Sequence, residues 1–104
     1  GVVPVGDNVL FYPQVGRGIS LQTSKGHVTV NDLTDELVLS VPGLASQVSI
    51  SPVGITLVRA GQSIALTEAG VSITATNLNI AVSGQTNILT AGPTRLAGST
   101  IHLN

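Results

Sequence analysis

The chain has 104 residues, enough for one domain, and a net charge of −1. Charged residues make up 9% and aromatic residues 2%, while 42% of the residues are hydrophobic; an ordinary domain is about 25% charged. The weak charge predicts no nucleic-acid partner, the aliphatic content excludes disorder, and the absence of cysteine excludes disulfides and thiolate metal sites. Many aliphatic residues with few rings predict a thin core.

The N-terminal region differs in composition from the rest of the chain. Residues 1–5 are typical of the interior of a longer protein, so we expect the sequence to be a fragment. Residues 6–13 predict one strand and include both aromatic residues, Phe11 and Tyr12. We therefore assign residues 1–18 to an N-terminal strand or collar that ends a preceding domain.

A triplet of aliphatic, polar or small, and aliphatic residues recurs from residue 19 onward. Alternation with a period of two predicts strands, and the glycines and prolines between the triplets predict tight turns. No stretch has helical spacing, so no helix is predicted. The clear copies are Ile19-Ser20-Leu21, Val28-Thr29-Val30, Leu37-Val38-Leu39, Val48-Ser49-Ile50, Ile55-Thr56-Leu57, Ile64-Ala65-Leu66, Val71-Ser72-Ile73, Leu78-Asn79-Ile80 and Ile101-His102-Leu103, with weaker copies at Thr86-Asn87-Ile88 and Thr94-Arg95-Leu96.

The short repeat predicts stacked strands. A unit of one strand and one corner cannot bury its own apolar face, so neighbouring repeats must cover it. A single-chain solenoid and a prism of three intertwined chains both fit. We favour the trimer, because the repeat length drifts and the core must exclude rings. The predicted fold is all-β, an intertwined trimeric β-helix in which each strand pairs with strands from the other two chains. Its shaft spans residues 19–98 and its apex residues 99–104.

Several segments resemble the central spike proteins of Mu-like and P2-like contractile-tailed phages. Gly6–Tyr12, Gly18–Leu21 and Gly26–Val30 resemble the junction between the OB-fold and the β-helix of those spikes. Val48–Leu57 resembles their needle repeats, and is also similar to the C-terminal repeats of type VI secretion spike proteins. The resemblance implies that residues 1–18 end an OB-like domain.

The same resemblance implies a function and a location. It implies a non-catalytic homotrimer at the tip of the tail baseplate of the virion, bound to baseplate hub proteins. There it would perforate the host outer membrane when the sheath contracts. A secretion spike segment and a trimeric tail-fibre or adhesin shaft are the alternatives, although a fibre would carry an aromatic or charged patch and none follows Tyr12.

A polysaccharide-cleaving β-helix enzyme is the third hypothesis. Such an enzyme needs paired carboxylates along a groove, and the shaft beyond Leu37 contains only Glu68. The many serines and threonines lack a His–Asp arrangement for nucleophilic catalysis. We therefore predict that the chain is not an enzyme.

The C-terminus contains the one candidate metal ligand, His102. Several spikes of the resembled family end in His-x-His, and three copies of that motif hold an iron ion at the apex. This chain has a single histidine there. Three copies of His102 would offer three nitrogens, with Asn104 or water completing the shell. The alternatives are an apex held by packing and one capped by a separate tip protein, and we favour an exposed, unligated His102.

The remaining polar residues predict solvent-exposed surfaces. His27 follows Lys25 and Gly26 and is expected to be a solvated turn residue. Gly16-Arg17-Gly18 lacks the Lys-Ser/Thr ending of a phosphate loop. The only acidic cluster has no base, nucleophile or calcium-loop spacing, and predicts a solvated loop; its members are Asp32, Asp35 and Glu36. The middle residues of the triplets should form the polar outer surface, among them Ser49, Thr56, Ser72 and Asn79.

Overall fold

A computed structural model describes residues 3–4, 10–14 and 18–103, with side chains from residue 18 onward. Nine strands form one antiparallel sheet, in which their order is that of the chain. The described part contains no α-helix, so the predicted all-β class is confirmed. The strands are β1 (Val3–Pro4), β2 (Leu10–Gln14), β3 (Gly18–Gln22), β4 (His27–Asn31), β5 (Glu36–Val41), β6 (Ser46–Ser51), β7 (Gly54–Arg59), β8 (Gln62–Thr67) and β9 (Gly70–Thr74), with a 3-10 turn at Pro42–Leu44.

The triplets determine which face each side chain takes. Seven of them lie in β3 to β9, one in each strand. Consecutive triplets pair directly: Ile19 lies opposite Val30, and Leu21 opposite Val28. Because side chains alternate between the two faces of a strand, the two aliphatic residues of every triplet point to one face and the middle residue points to the other.

Short turns hold consecutive strands together. Between β6 and β7, the Ser51 hydroxyl accepts a hydrogen bond from the Val53 amide at 3.3 Å. Between β8 and β9, the Thr67 hydroxyl accepts one from the Ala69 amide at 3.2 Å. Such side-chain turns let two residues reverse the chain, so each strand is delivered next to the preceding one.

Two glycines permit close contact between strands. Gly18 and Gly54 have φ values of 138° and 148°, which residues with a Cβ rarely adopt. A Cβ on Gly18 would overlap the carbonyl oxygen of Val30, and one on Gly54 would overlap that of Leu66. At each position the carbonyl of the following strand occupies the space that a side chain would need.

Strand pairing differs from the prediction. From β3 to β8 each strand pairs on both sides with neighbours of the same chain, so the expected pairing with other chains is wrong there. Two-residue turns make intrachain pairing cheap in entropy. The triplets Leu78-Asn79-Ile80 and Ile101-His102-Leu103 were predicted as strands, but residues 75–103 contain none. A strand needs a ladder partner, and this chain supplies none for them.

The N-terminal assignment is covered only in part. Of the strand predicted over residues 6–13, residues 10–13 fall in β2, and the others lie outside the described residues. β2 pairs with β3 along its whole length, from Leu10 opposite Gln22 to Gln14 opposite Gly18. The sheet therefore runs across residue 18, and a domain boundary at that residue stays a prediction.

The described part has no hydrophobic core. Among residues 18–103, no hydrophobic side chain is buried, and only Ser20, at 8% exposure, is buried at all. The chain exposes 8684 Å², whereas a compact monomer of this mass exposes roughly 5,400 Å². Its radius of gyration is 19.5 Å and its extents are 61 × 28 × 27 Å, against about 13 Å for a compact domain. The single chain is thus an elongated sheet with uncovered apolar surface.

Candidate functional site: an uncovered aliphatic face

One face of the sheet, from β3 to β9, consists of two columns of aliphatic side chains. Each member lies directly opposite the next in the neighbouring strand. The first column is Leu21, Val28, Leu39, Val48, Leu57, Ile64 and Ile73, and the second is Ile19, Val30, Leu37, Ile50, Ile55, Leu66 and Val71. We call these fourteen residues the aliphatic face. No polar side chain interrupts either column.

The aliphatic face is open to solvent. Twelve of its residues are exposed, from 36% at Val28 to 67% at Val71, while Leu37 and Val48 are half-buried. The first column lines a continuous groove: Val48, Leu57, Ile64 and Ile73 line one part of it. Leu21, Val28, Leu39 and again Val48 line the other part. Large contiguous apolar patches of this kind mark interaction surfaces.

The opposite face carries a central column of smaller side chains, namely Ser20, Thr29, Val38, Ser49, Thr56, Ala65 and Ser72. Ser72 and also Asn79 are exposed, as predicted for the outer surface, but Ser49 and Thr56 are half-buried. Their short side chains lie among larger neighbours on the same face. Val38 and Ala65 are apolar, so the predicted polar surface is incomplete.

Four charged groups of the described chain lie in turns outside the aliphatic face, and a fifth, Arg59, lines its groove. Lys25, Asp32, Asp35 and Glu68 are exposed in the turns between strands. Arg59, at the end of β7, donates from Nη1 to the Ser46 hydroxyl at 3.0 Å. Covering the face would therefore bury none of the charged groups in these turns. Arg59 lines the groove beside Leu57 and Ile64, so an assembly must leave its guanidinium a polar partner such as the Ser46 hydroxyl.

The polar candidates are distributed as follows. His27 is not a turn residue: it is the first residue of β4 and is half-buried, paired with Gln22 and Ser40. β4 begins one residue before the triplet. The adjacent Gly26 had favoured a turn at His27. In the acidic cluster Asp32 and Asp35 are exposed in a turn as predicted, whereas Glu36 begins β5 and is half-buried.

The metal candidate is exposed. His102 lies in the last described residues, and Asn104, its suggested companion, lies outside them, as do Gly16 and Arg17. Within the described residues no three His, Cys, Asp or Glu side chains are grouped to hold an ion. A site on a threefold axis would draw one imidazole from each of three copies, so His102 stays a prediction.

Comparison with known proteins gives no match to a protein-family model or to a curated protein. In the part of the chain that the structure describes, no helix is long and apolar enough to cross a membrane. The aliphatic face is the feature from which a function can be argued.

Proposed function

We propose that the chain is one third of a trimeric β-prism needle, and that the needle is the membrane-piercing spike at the tip of a contractile phage tail. The observation that supports this most directly is the aliphatic face, which runs from β3 to β9 and which no described residue covers. In a prism, three copies turn this face toward a common axis, and each copy covers the other two.

The width of the face favours three copies over two. Each strand contributes two side chains to the face. In β5 a third aliphatic residue, Val41, follows them on the same side, and in the other strands polar or turn residues flank the pair. A two-sheet sandwich suits broader sheets, packed about 10 Å apart. A stripe two residues wide, without aromatic rings, suits three sheets that meet at a narrow centre. Seven strands spaced about 4.8 Å apart would give this part of the needle a length of roughly 30 Å.

Burial of the face would supply the stability that the isolated chain lacks. Each aliphatic side chain is already partly covered by its neighbours, so completing its burial contributes about 1–2 kcal/mol. Fourteen such side chains in each copy give a large gross gain, against which the entropy of association must be set. The fold and the assembly are then one process.

The piercing function is supported by shape and surface. The chain is elongated, at 61 × 28 × 27 Å, and beyond Leu37 it has only Arg59, Glu68 and Arg95 as charged residues. A narrow rod with few charges passes through hydrocarbon at lower desolvation cost than a charged one. The proposed partners are two further copies, baseplate hub proteins, the host outer membrane and, at the apex, a separate tip protein.

The assembly is tested by the molar mass of the protein in solution. Light scattering on a chromatographic peak should give three times the 10.5 kDa of one chain, and metal analysis of the same peak tests His102. Iron at one ion per trimer that disappears in His102→Ala would assign the ligand, whereas equal metal content in both would leave His102 an exposed residue. A mass of one chain would contradict the needle.

The piercing function is tested by force. Atomic force microscope tips carrying the protein should break through a supported outer-membrane bilayer at lower force than tips carrying a globular protein of equal mass. Retraction should show no adhesion. Strong adhesion to lipopolysaccharide, with an unchanged breakthrough force, would instead support the tail-fibre or adhesin alternative.

A further inference from the structure

The chain leaves the sheet after β9 in a way that differs from the hairpin connections between β3 and β9. Thr76, two residues beyond β9, donates its backbone N–H to the Gln62 side-chain carbonyl at 2.6 Å. The Gln62 amide nitrogen in turn lies 3.3 Å from the Thr76 hydroxyl and donates to it. Gln62 is the first residue of β8, so both bonds hold the departing chain on the β8 side of β9. The chain is thereby kept from reversing onto the other edge of β9.

The free edge of β9 has the geometry of an edge that receives another strand. Gly70 begins β9 with a φ of 137°, matching Gly18 and Gly54 at the starts of β3 and β7. At those two glycines, the missing Cβ leaves room for a carbonyl oxygen of the following strand. At Gly70 no atom of the described chain lies within 4 Å of the corresponding position. The space for a carbonyl is present, and no described residue of this chain fills it.

Residues 75–103, which we call the tail, lack strand partners within the described chain. All of them are exposed, and none belongs to a strand. The triplet Leu78-Asn79-Ile80 keeps the alternation of the sheet, with Leu78 exposed by 61% and Ile80 by 74%. Backbone N–H and C=O groups next to such apolar side chains require partners once those side chains are buried.

We propose that the free edge of β9 pairs with residues 76–82 of a neighbouring copy, and that Gly70 receives a carbonyl oxygen of that segment. This rests on the proposed trimer and adds how its copies are joined. A second copy is the fitting occupant, since Leu78 and Ile80 would extend the two aliphatic columns by one strand. The contact is heterologous, edge to tail, and it closes into a ring of three when neighbouring copies are related by the threefold rotation of the proposed trimer.

Cross-linking tests the pairing, and the absence of cysteine from the sequence makes introduced thiols unique. Ser72 and Asn79 are the middle residues of the two triplets and both are exposed. The full chain carrying Ser72→Cys and Asn79→Cys should give covalent trimers with a short bis-maleimide. Refolding a mixture of the two single variants should give covalent dimers, which neither variant gives alone.

The matched control is Ser49→Cys with Asn79→Cys. Ser49 occupies the same column, but its strand is paired on both sides within the chain, and we expect no cross-link between copies. A cross-link within one chain in the Ser72/Asn79 variant would overturn the proposal, because the tail would then fold onto its own β9. The absence of any cross-link in a protein of trimeric mass would overturn the edge pairing but would not contradict the proposed trimeric needle. A monomeric mass would overturn both.

A glycine substitution gives a second, independent readout. Gly70 and Gly61 both have positive φ, and neither has a neighbouring atom within 4 Å of a Cβ position in the described chain. Gly70→Ala and Gly61→Ala therefore each place a side chain on a positive-φ backbone without a steric clash in the described chain. If a strand docks on β9, Gly70→Ala should shift the trimer toward monomer at least tenfold more than Gly61→Ala does. Equal shifts would contradict a docked strand at Gly70.

Discussion

Ala60 adopts a backbone conformation that an alanine rarely takes. Its φ is 47°, and that of the following Gly61 is 90°. The two residues form the turn between β7 and β8, in which Arg59 pairs with Gln62. Positive φ at both central residues defines the hairpin turn that favours Asn-Gly, so the protein holds strain at Ala60 that its sequence does not relieve.

Ala60→Asn should stabilise the protein by about 1 kcal/mol per chain, because asparagine tolerates the left-handed region better than alanine. Thermal or denaturant unfolding of the assembled protein measures the gain. Ala69→Asn is the matched control: Ala69 also lies in a two-residue hairpin loop, but its φ is not positive. An equal gain from both variants would show that the effect does not come from the turn conformation.

At the scale of the strands, substitutions in the aliphatic face should affect assembly more than substitutions on the opposite face. Ile73 in β9 belongs to the face and lines its groove, while the adjacent Ser72 belongs to the opposite column. The two residues are neighbours in sequence and both are exposed in one chain. Only the covering of the face in an assembly would distinguish them.

Ile73→Asp should abolish assembly, because three like charges would be buried together near the axis. Ser72→Asp, which adds the same charge on the outer face, should leave the trimer in place. Sedimentation or light scattering measures both variants. A trimer of Ile73→Asp that resists SDS would show that the face does not point to the axis.

Sequence pattern predicts the strands well but not their partners. The triplets in β3 to β9 determine which side chains share a face, because alternate residues of a strand always point to the same face of the sheet. Hairpin and interchain pairing satisfy the same backbone groups, so the pattern could not choose between them. The Gln62–Thr76 hydrogen bonds join residues fourteen positions apart. No local sequence motif predicts hydrogen bonds over that separation. Gly70 could have been found, because glycine also begins β3 and β7.

At the scale of the whole molecule, the described part of one chain leaves its apolar surface uncovered. No hydrophobic side chain of the described part is buried, so its apolar residues contribute to stability mainly after association. Marginal stability is the rule even for proteins with a full core. In the proposed trimer, the unit that folds is the assembly.

The melting midpoint should rise with protein concentration, because mass action links unfolding to dissociation. Calorimetry or circular dichroism over a hundredfold range of concentration measures this, and Ala60→Asn should shift the whole series upward without changing its slope. A midpoint that stays constant over the range would indicate a chain that is stable alone, and would contradict an obligate trimer.

The pairing of consecutive strands also sets the order of events during synthesis. The connections from β3 to β9 are loops of only two or four residues, and local contacts of this kind form quickly. Each nascent chain can form these hairpins transiently soon after it leaves the ribosome. In the proposed trimer they become stable only when two further copies cover the aliphatic face. Encounter between newly made copies would then limit the yield of assembled protein, and copies joined in the wrong register would be its main by-product.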